Sequence, residues 1–123
     1  MGEITNAELS FVTFDVDQDK INLYADITDD YNPLHVDPEF AATTRMGGVI
    51  AHGTMSLALI WQMLRLNFGA ERCGEAEINV RFVRPVRVGD HLVATGTIKP
   101  DGLAEVWIAN QNGEKVIEGT ATL

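Results

Sequence analysis

The sequence predicts an α+β domain in which one curved antiparallel sheet is rolled around a long apolar helix. Two observations carry this. The stretch from His52 to Phe68 (HGTMSLALIWQMLRLNF) is helix-forming, stops at Gly69 and is apolar nearly all the way round. Everything after it reads as about four antiparallel strands separated by turn residues. A helix that is apolar on every side must be wrapped, and a flat sheet would leave one side of it wet. At ~1.5 Å per residue it spans about 25 Å. Gln62 and Arg65 interrupt it, so it is too short and too polar for a membrane span.

Each element follows from local pattern. Leu9 to Val16 alternates Val12, Phe14 and Val16 on one side with Phe11, Thr13 and Asp15 on the other, which predicts a short strand. Asp17 is a helix N-cap with acids in the first turn, after which Ile21, Leu23, Tyr24 and Ile27 fall at helical spacing. Thr28 to Pro38 is loop chemistry, rich in Asp, Asn and Pro. Pro38 to Ala42 then makes one or two helical turns with proline in first position. Beyond the long helix, Ile78, Val80 and Phe82 alternate with Asn79 and Arg81, and Pro85 interrupts before Val86 and Val88. Gly89-Asp90, Pro100-Asp101-Gly102 and Asn112-Gly113 mark the turns between the remaining strands.

Composition narrows the function classes. The 123 residues suffice for one domain, 1–123, with a core that needs no disulfide. Hydrophobic residues at 46% and charged residues at 22% are ordinary for a globular chain and exclude wholesale disorder. Nine Lys and Arg against 18 Asp and Glu leave a net charge of −9, which argues against nucleic acid or an anionic membrane as partner. The single Cys73 cannot form an internal disulfide, and Met1 to Asn6 has no signal-peptide character. A cytoplasmic location is expected. The open edges of such a sheet predict a homodimer.

The densest polar cluster is Thr28-Asp29-Asp30-Tyr31-Asn32-Pro33-Leu34-His35. Asp30 and His35, five residues apart across an Asn-Pro turn, can bring a carboxylate and an imidazole towards one point and hold a water from two sides. On residue types alone, a capped turn with a surface histidine is the favoured reading. His52-Gly53 opens the long helix, whose N-terminus carries about half a positive charge and free N–H groups suited to a developing oxyanion. Arg72, Arg81, Arg84 and Arg87 lie within sixteen positions and could receive phosphates, or could pair with nearby acids on a solvated strand. Asp15 to Asp26 fails as a calcium loop, with Lys20 where glycine is needed and Asp26 where glutamate is. His35, His52, His91 and Cys73 have no zinc spacing, so no metal is expected. Ser56 is not placed as in a nucleophile elbow. Trp61, Met63 and Trp107 read as core residues, with Trp61 or Met63 as candidates to line a pocket.

Asp30-Tyr31-Asn32-Pro33-Leu34-His35, then Asp37-Pro38, Phe40-Ala41 and His52-Gly53, resemble the signature of the MaoC-like dehydratases. These include the (R)-specific enoyl-CoA hydratases of the hot-dog fold. Phe82-Val83-Arg84-Pro85-Val86-Arg87-Val88-Gly89-Asp90 resembles the same family's strand pair. The resemblance implies that Asp30 and His35 activate a water and that the Gly53 N–H binds the thioester oxygen. It implies reversible addition of water across a trans-2-enoyl thioester to give an (R)-3-hydroxyacyl thioester. Neither metal nor redox cofactor is implied, because coenzyme A is part of the substrate. Asn32, His52, Arg84 and Arg87 are further candidates for substrate binding.

Alternatives remain: a 3-hydroxyacyl-carrier-protein dehydratase, a hot-dog thioesterase, or a non-catalytic acyl-CoA-binding module. The thioesterase is disfavoured because His52 to Phe68 contains no carboxylate. The family usually has glycine where this chain has Asp29. A positive φ there would be tolerated by Asp at some cost, and a second carboxylate beside Asp30 is expected to alter the pH profile.

Overall fold

The computed structural model describes residues 7–123, so the leader reading of Met1 to Asn6 lies outside it. In chain order the elements are β1 (Ala7–Glu8), β2 (Val12–Asp15), α1 (Gln18–Thr28), α2 (Pro33–Val36), α3 (Pro38–Ala42), α4 (Gly53–Cys73), β3 (Glu77–Phe82), β4 (His91–Ile98), β5 (Leu103–Ala109) and β6 (Lys115–Thr122). All strands join one antiparallel sheet in the order β1–β4–β5–β6–β3, with β2 also against β4. The predicted first strand is therefore one interrupted edge. Ala7 faces Ile98, Val12 faces Ala94, and the Leu9 N–H donates to Gly96 O between them (2.9 Å).

One row across this sheet explains its close packing. Gly96 faces Val106, Val106 faces Gly119, and Gly119 faces Val80. A Cβ at Gly96 would overlap the Glu105 carbonyl, and one at Gly119 the Asn79 carbonyl. Only glycine lets the strands approach so closely there. The interior is made by Leu92, Ala94, Val106, Ile108 and Ile117 of the sheet together with Met55, Leu59, Ile60 and Met63 of α4. At ~25 cal/mol per Å², apolar burial of this kind is the main favourable term in folding.

Four expectations need correction. The long helix does break at Gly69 (φ 84°, ψ 162°), but one more turn carries α4 to Cys73. Nor is it wrapped on every side. Met55, Ser56, Leu59, Ile60, Met63 and Leu64 form one buried face, whereas Leu66 is 60% exposed. In α1 the buried positions are Ile21 and Ala25, with Tyr24 half-buried, while Leu23 and Ile27 face outward. The expected loop from Thr28 to Pro38 contains a helical turn, α2, capped by Asn32 with Pro33 first. The signal that predicts α3, proline at the first position, is present here too. Among the described residues no helix is long and apolar enough to cross a membrane.

Candidate active site

The site grows from the C-terminus of α1. Its cap, Asp29, adopts the left-handed conformation (φ 56°, ψ 34°), so the positive φ anticipated at this position is present. This turn reverses the chain and delivers Asp30, whose N–H donates to Ala25 O (3.1 Å). The Asp30 carboxylate then accepts from the Asn32 N–H (3.2 Å), and the Asn32 side chain accepts from the Leu34 N–H (3.0 Å). Pro33 fixes its own φ, and Asn32 is extended ahead of it (φ −52°, ψ 125°). The Tyr31 hydroxyl donates to Asp26 (2.7 Å), and that carboxylate raises the phenol's pKa by favouring its protonated form. Backbone and side chain together pin the loop.

His35 sits half-buried in α2. Its Nδ1 lies 2.7 Å from Ile50 O. A carbonyl only accepts, so Nδ1 carries the proton and Nε2 presents its lone pair. The Gln18 side-chain amide donates to His35 O (2.9 Å) and so ties α1 to α2. His52, 2% exposed, places Nε2 3.0 Å from Asp30 O, and the same logic protonates that nitrogen. The His52 ring stacks on His35 with centroids 4.0 Å apart and meets Tyr24 edge-on at 5.0 Å. The Tyr24 hydroxyl donates in turn to Thr54 Oγ1 (2.6 Å) at the start of α4.

A carboxylate oxygen of Asp30 and one ring nitrogen from each of His35 and His52 all lie within 4.8 Å of one another. One water bridges such a gap with two hydrogen bonds of ~2.8 Å. Nδ1 of His35 and Nε2 of His52 already donate to carbonyls, which leaves one ring nitrogen on each for a further partner.

Beside this trio opens a cavity of about 330 Å³, within the size range of small-molecule sites. His35, Gly53 and Ser56 form its polar wall, and Ile50, Phe82, Val86 and Ile117 lie among its apolar residues. Gly53 is the first residue of α4, so its N–H has no acceptor within the helix. A Cβ at Gly53 would stand 3.0 Å from the Phe82 ring, which makes glycine the residue that lets Phe82 close over the helix end.

The structure thus brings Asp30, His35 and Gly53 to one place and redistributes the other candidates. The Asn32 side-chain oxygen caps α2, and buried His52 holds the Asp30 carbonyl; both position the loop rather than meet a ligand directly. Arg84 lines the cavity while donating to Lys115 O (2.9 Å), with Glu114 at 3.6 Å. Arg81 pairs with Glu118 at 2.9 Å, which holds that carboxyl below its usual range. Arg87 is exposed near Gly48. Of these arginines only Arg84 lines the cavity. Two contributors were not visible in sequence. Ile50 acts through its carbonyl, which no residue type reveals, and Phe82 is identified only by its contact with Gly53.

Comparison with known proteins agrees with this geometry. Residues 3–120 match the family model described as MaoC like domain. The 3-hydroxyacyl-thioester dehydratase Z of Mycobacterium tuberculosis is 37% identical over 94 residues, covering 68% of this chain and 58% of that protein. This chain therefore spans little more than half the length of that relative. The (R)-specific enoyl-CoA hydratase of Aeromonas caviae is 31% identical over 114 residues, covering 85% of this chain and 82% of the relative. The solved structure of an R-hydratase from Pseudomonas aeruginosa superposes with a TM-score of 0.80 at 28% identity, covering 94% of this chain and 77% of that one. With the hot-dog sheet, the central helix and the matched residues in agreement, the chain belongs to the MaoC-like dehydratase family.

Proposed function

We propose that this protein is an (R)-specific enoyl-CoA hydratase, or 3-hydroxyacyl-CoA dehydratase in the reverse direction. The observation that carries the proposal is the approach of Asp30 and His35 to within 4.8 Å without a direct hydrogen bond between them, beside a cavity whose wall includes a helix N-terminus. A trans-2-enoyl thioester enters with its acyl chain among Phe82, Val86 and Ile117 and its carbonyl oxygen at the Gly53 N–H. The Asp30/His35 pair takes one proton from the held water as its oxygen bonds to C3. Electrons move onto the thioester oxygen, where the Gly53 amide and the positive end of α4 stabilise the enolate. The pair then returns one proton to C2, so the net change is addition of H₂O.

His52 holds the Asp30 carbonyl and the Asn32 N–H holds the Asp30 carboxylate, and together they keep this pair open. The pair polarises the water itself, so the reading calls for no metal. Arg84, at the cavity wall, and exposed Arg87 are the proposed contacts for the phosphates of coenzyme A or an acyl carrier.

A homodimer is the proposed assembly. Among the described residues β3 pairs only with β6, which leaves its other edge free. Antiparallel pairing of two β3 edges about Asn79 sets Glu77 of each copy opposite Arg81 of the other, a favourable cross-strand charge pair. Charge reversal at Glu77 is expected to shift the species seen by light scattering towards monomer; unchanged mass would remove β3 as the interface.

Loss of enoyl-thioester absorbance with crotonyl-CoA tests the reaction, and chiral analysis of the product tests its hand. The (R)-3-hydroxyacyl product is expected. Release of free thiol would instead support a thioesterase, and tight binding without turnover a binding module. A clear preference for the crotonyl-carrier thioester would move the assignment to the carrier-protein dehydratase.

A further inference from the structure

Ser56 is polar, 2% exposed, and its Oγ has no hydrogen-bond partner among the described residues. A buried hydroxyl left unpaired is destabilising, so its presence in a wall otherwise suited to Ala needs a reason. Helical serines commonly satisfy themselves by donating to the carbonyl four residues back, here that of His52; this one does not. Ser56 also lines the same cavity as Gly53 and His35.

Its position in α4 supplies the reason. Ser56 is three residues beyond Gly53, on the same helical face. A helical side chain leans over the turn N-terminal to its own Cα, which carries the Ser56 hydroxyl back towards the Gly53 amide. Rotation about the single χ1 chooses among staggered positions and lets the hydroxyl turn to a ligand.

We propose that Ser56 is a second hydrogen-bond donor to the thioester oxygen, acting beside the Gly53 N–H. The inference rests on the hydratase reading, because it is the enolate that gains most from a second donor. The free enzyme holds the hydroxyl unpartnered, and substrate supplies the acceptor. No bond to Ser56 forms or breaks; its proton remains on Oγ throughout.

The test compares wild type with Ser56→Ala and Ser56→Thr. Ser56→Ala is expected to lower kcat on crotonyl-CoA by about 10- to 100-fold with KM changed by less than about threefold, since the donor acts mainly as charge develops. Ser56→Thr, which keeps the hydroxyl, is expected to recover most of that loss. Removing an unpaired hydroxyl should leave the melting temperature of Ser56→Ala unchanged or higher.

A second readout does not need turnover: the infrared carbonyl band of bound butyryl-CoA labelled with ¹³C at C1. It should lie at lower frequency in wild type than in Ser56→Ala. An active wild type whose Ser56→Ala variant matches it in kcat, or equal carbonyl frequencies in the two proteins, overturns the proposal. A Ser56→Ala variant with normal kcat and a lowered melting point would show the hydroxyl holding a structural water to the unpartnered His52 Nδ1 instead. A wild type that binds the thioester with a lowered band yet never hydrates it would defeat the hydratase reading and leave Ser56 as a carbonyl donor.

Discussion

This chain contains two Asp–His pairs, and they are built in opposite ways. Asp15 and His91 face each other across β2 and β4 in an exposed direct contact, Oδ1 to Nδ1 at 2.6 Å. The His91 hydrogen bond holds the Asp15 carboxyl below its ordinary value. Asp30 and His35 make no such contact with each other. Each is held by backbone instead, Asp30 by the Asn32 N–H and His35 by the Ile50 carbonyl. The first pair satisfies itself and has no free lone pair to offer at its point of contact. The second is kept from doing so, next to a cavity and a helix N-terminus. Residue type alone does not make an acid–base pair; denying the partners to each other does.

The largest expected effects fall on the held-apart pair. Asp30→Asn and His35→Ala should each lower kcat/KM by at least about 100-fold, the usual cost of losing a positioned acid or base. Gly53→Ala should cost about 10-fold or more, because its Cβ would meet Phe82 at 3.0 Å and displace the helix end. Adding Phe82→Leu should recover part of that loss in a double-mutant cycle. If the two substitutions simply add, the contact is not the cause.

His52→Phe keeps a ring against Tyr24 and His35 but removes the donor to the Asp30 carbonyl. It should destabilise the fold by about 1–3 kcal/mol in denaturant titration and lower kcat by about 10-fold. A stability loss with full activity would reduce His52 to a packing role.

The smallest effects belong to the self-satisfied pair. A carboxyl with a depressed pKa in the folded state stabilises above its unfolded value, and that contribution is lost as pH falls through the folded one. Asp15→Asn should therefore flatten the acid side of the stability curve and leave turnover unchanged. The exposure of the pair keeps the effect small.

Much of this contrast was legible in the sequence, and the reason is local. The Asp-x-Asn-Pro-x-His spacing, the Asn32 cap and the helix beginning at His52-Gly53 involve residues near one another in the chain. Alternation around Val12 and Phe14 and the turn at Asn112-Gly113 likewise placed strands. What escaped notice depends on distant partners. The exposed face of α4 follows from which strands reach it, and the quenched Asp15–His91 pair joins residues 76 apart. Asp29 stands between the two cases: the glycine usual in the family at this place raised a positive φ, while its role as the cap of α1 came only with the structure.

The most direct test of the central claim is crotonyl-CoA hydration measured side by side for wild type, His35→Ala and His91→Ala. The account predicts normal turnover in His91→Ala and a loss of at least about 100-fold in His35→Ala, with both variants folded. Comparable losses in the two variants, or an active His35→Ala, would contradict it.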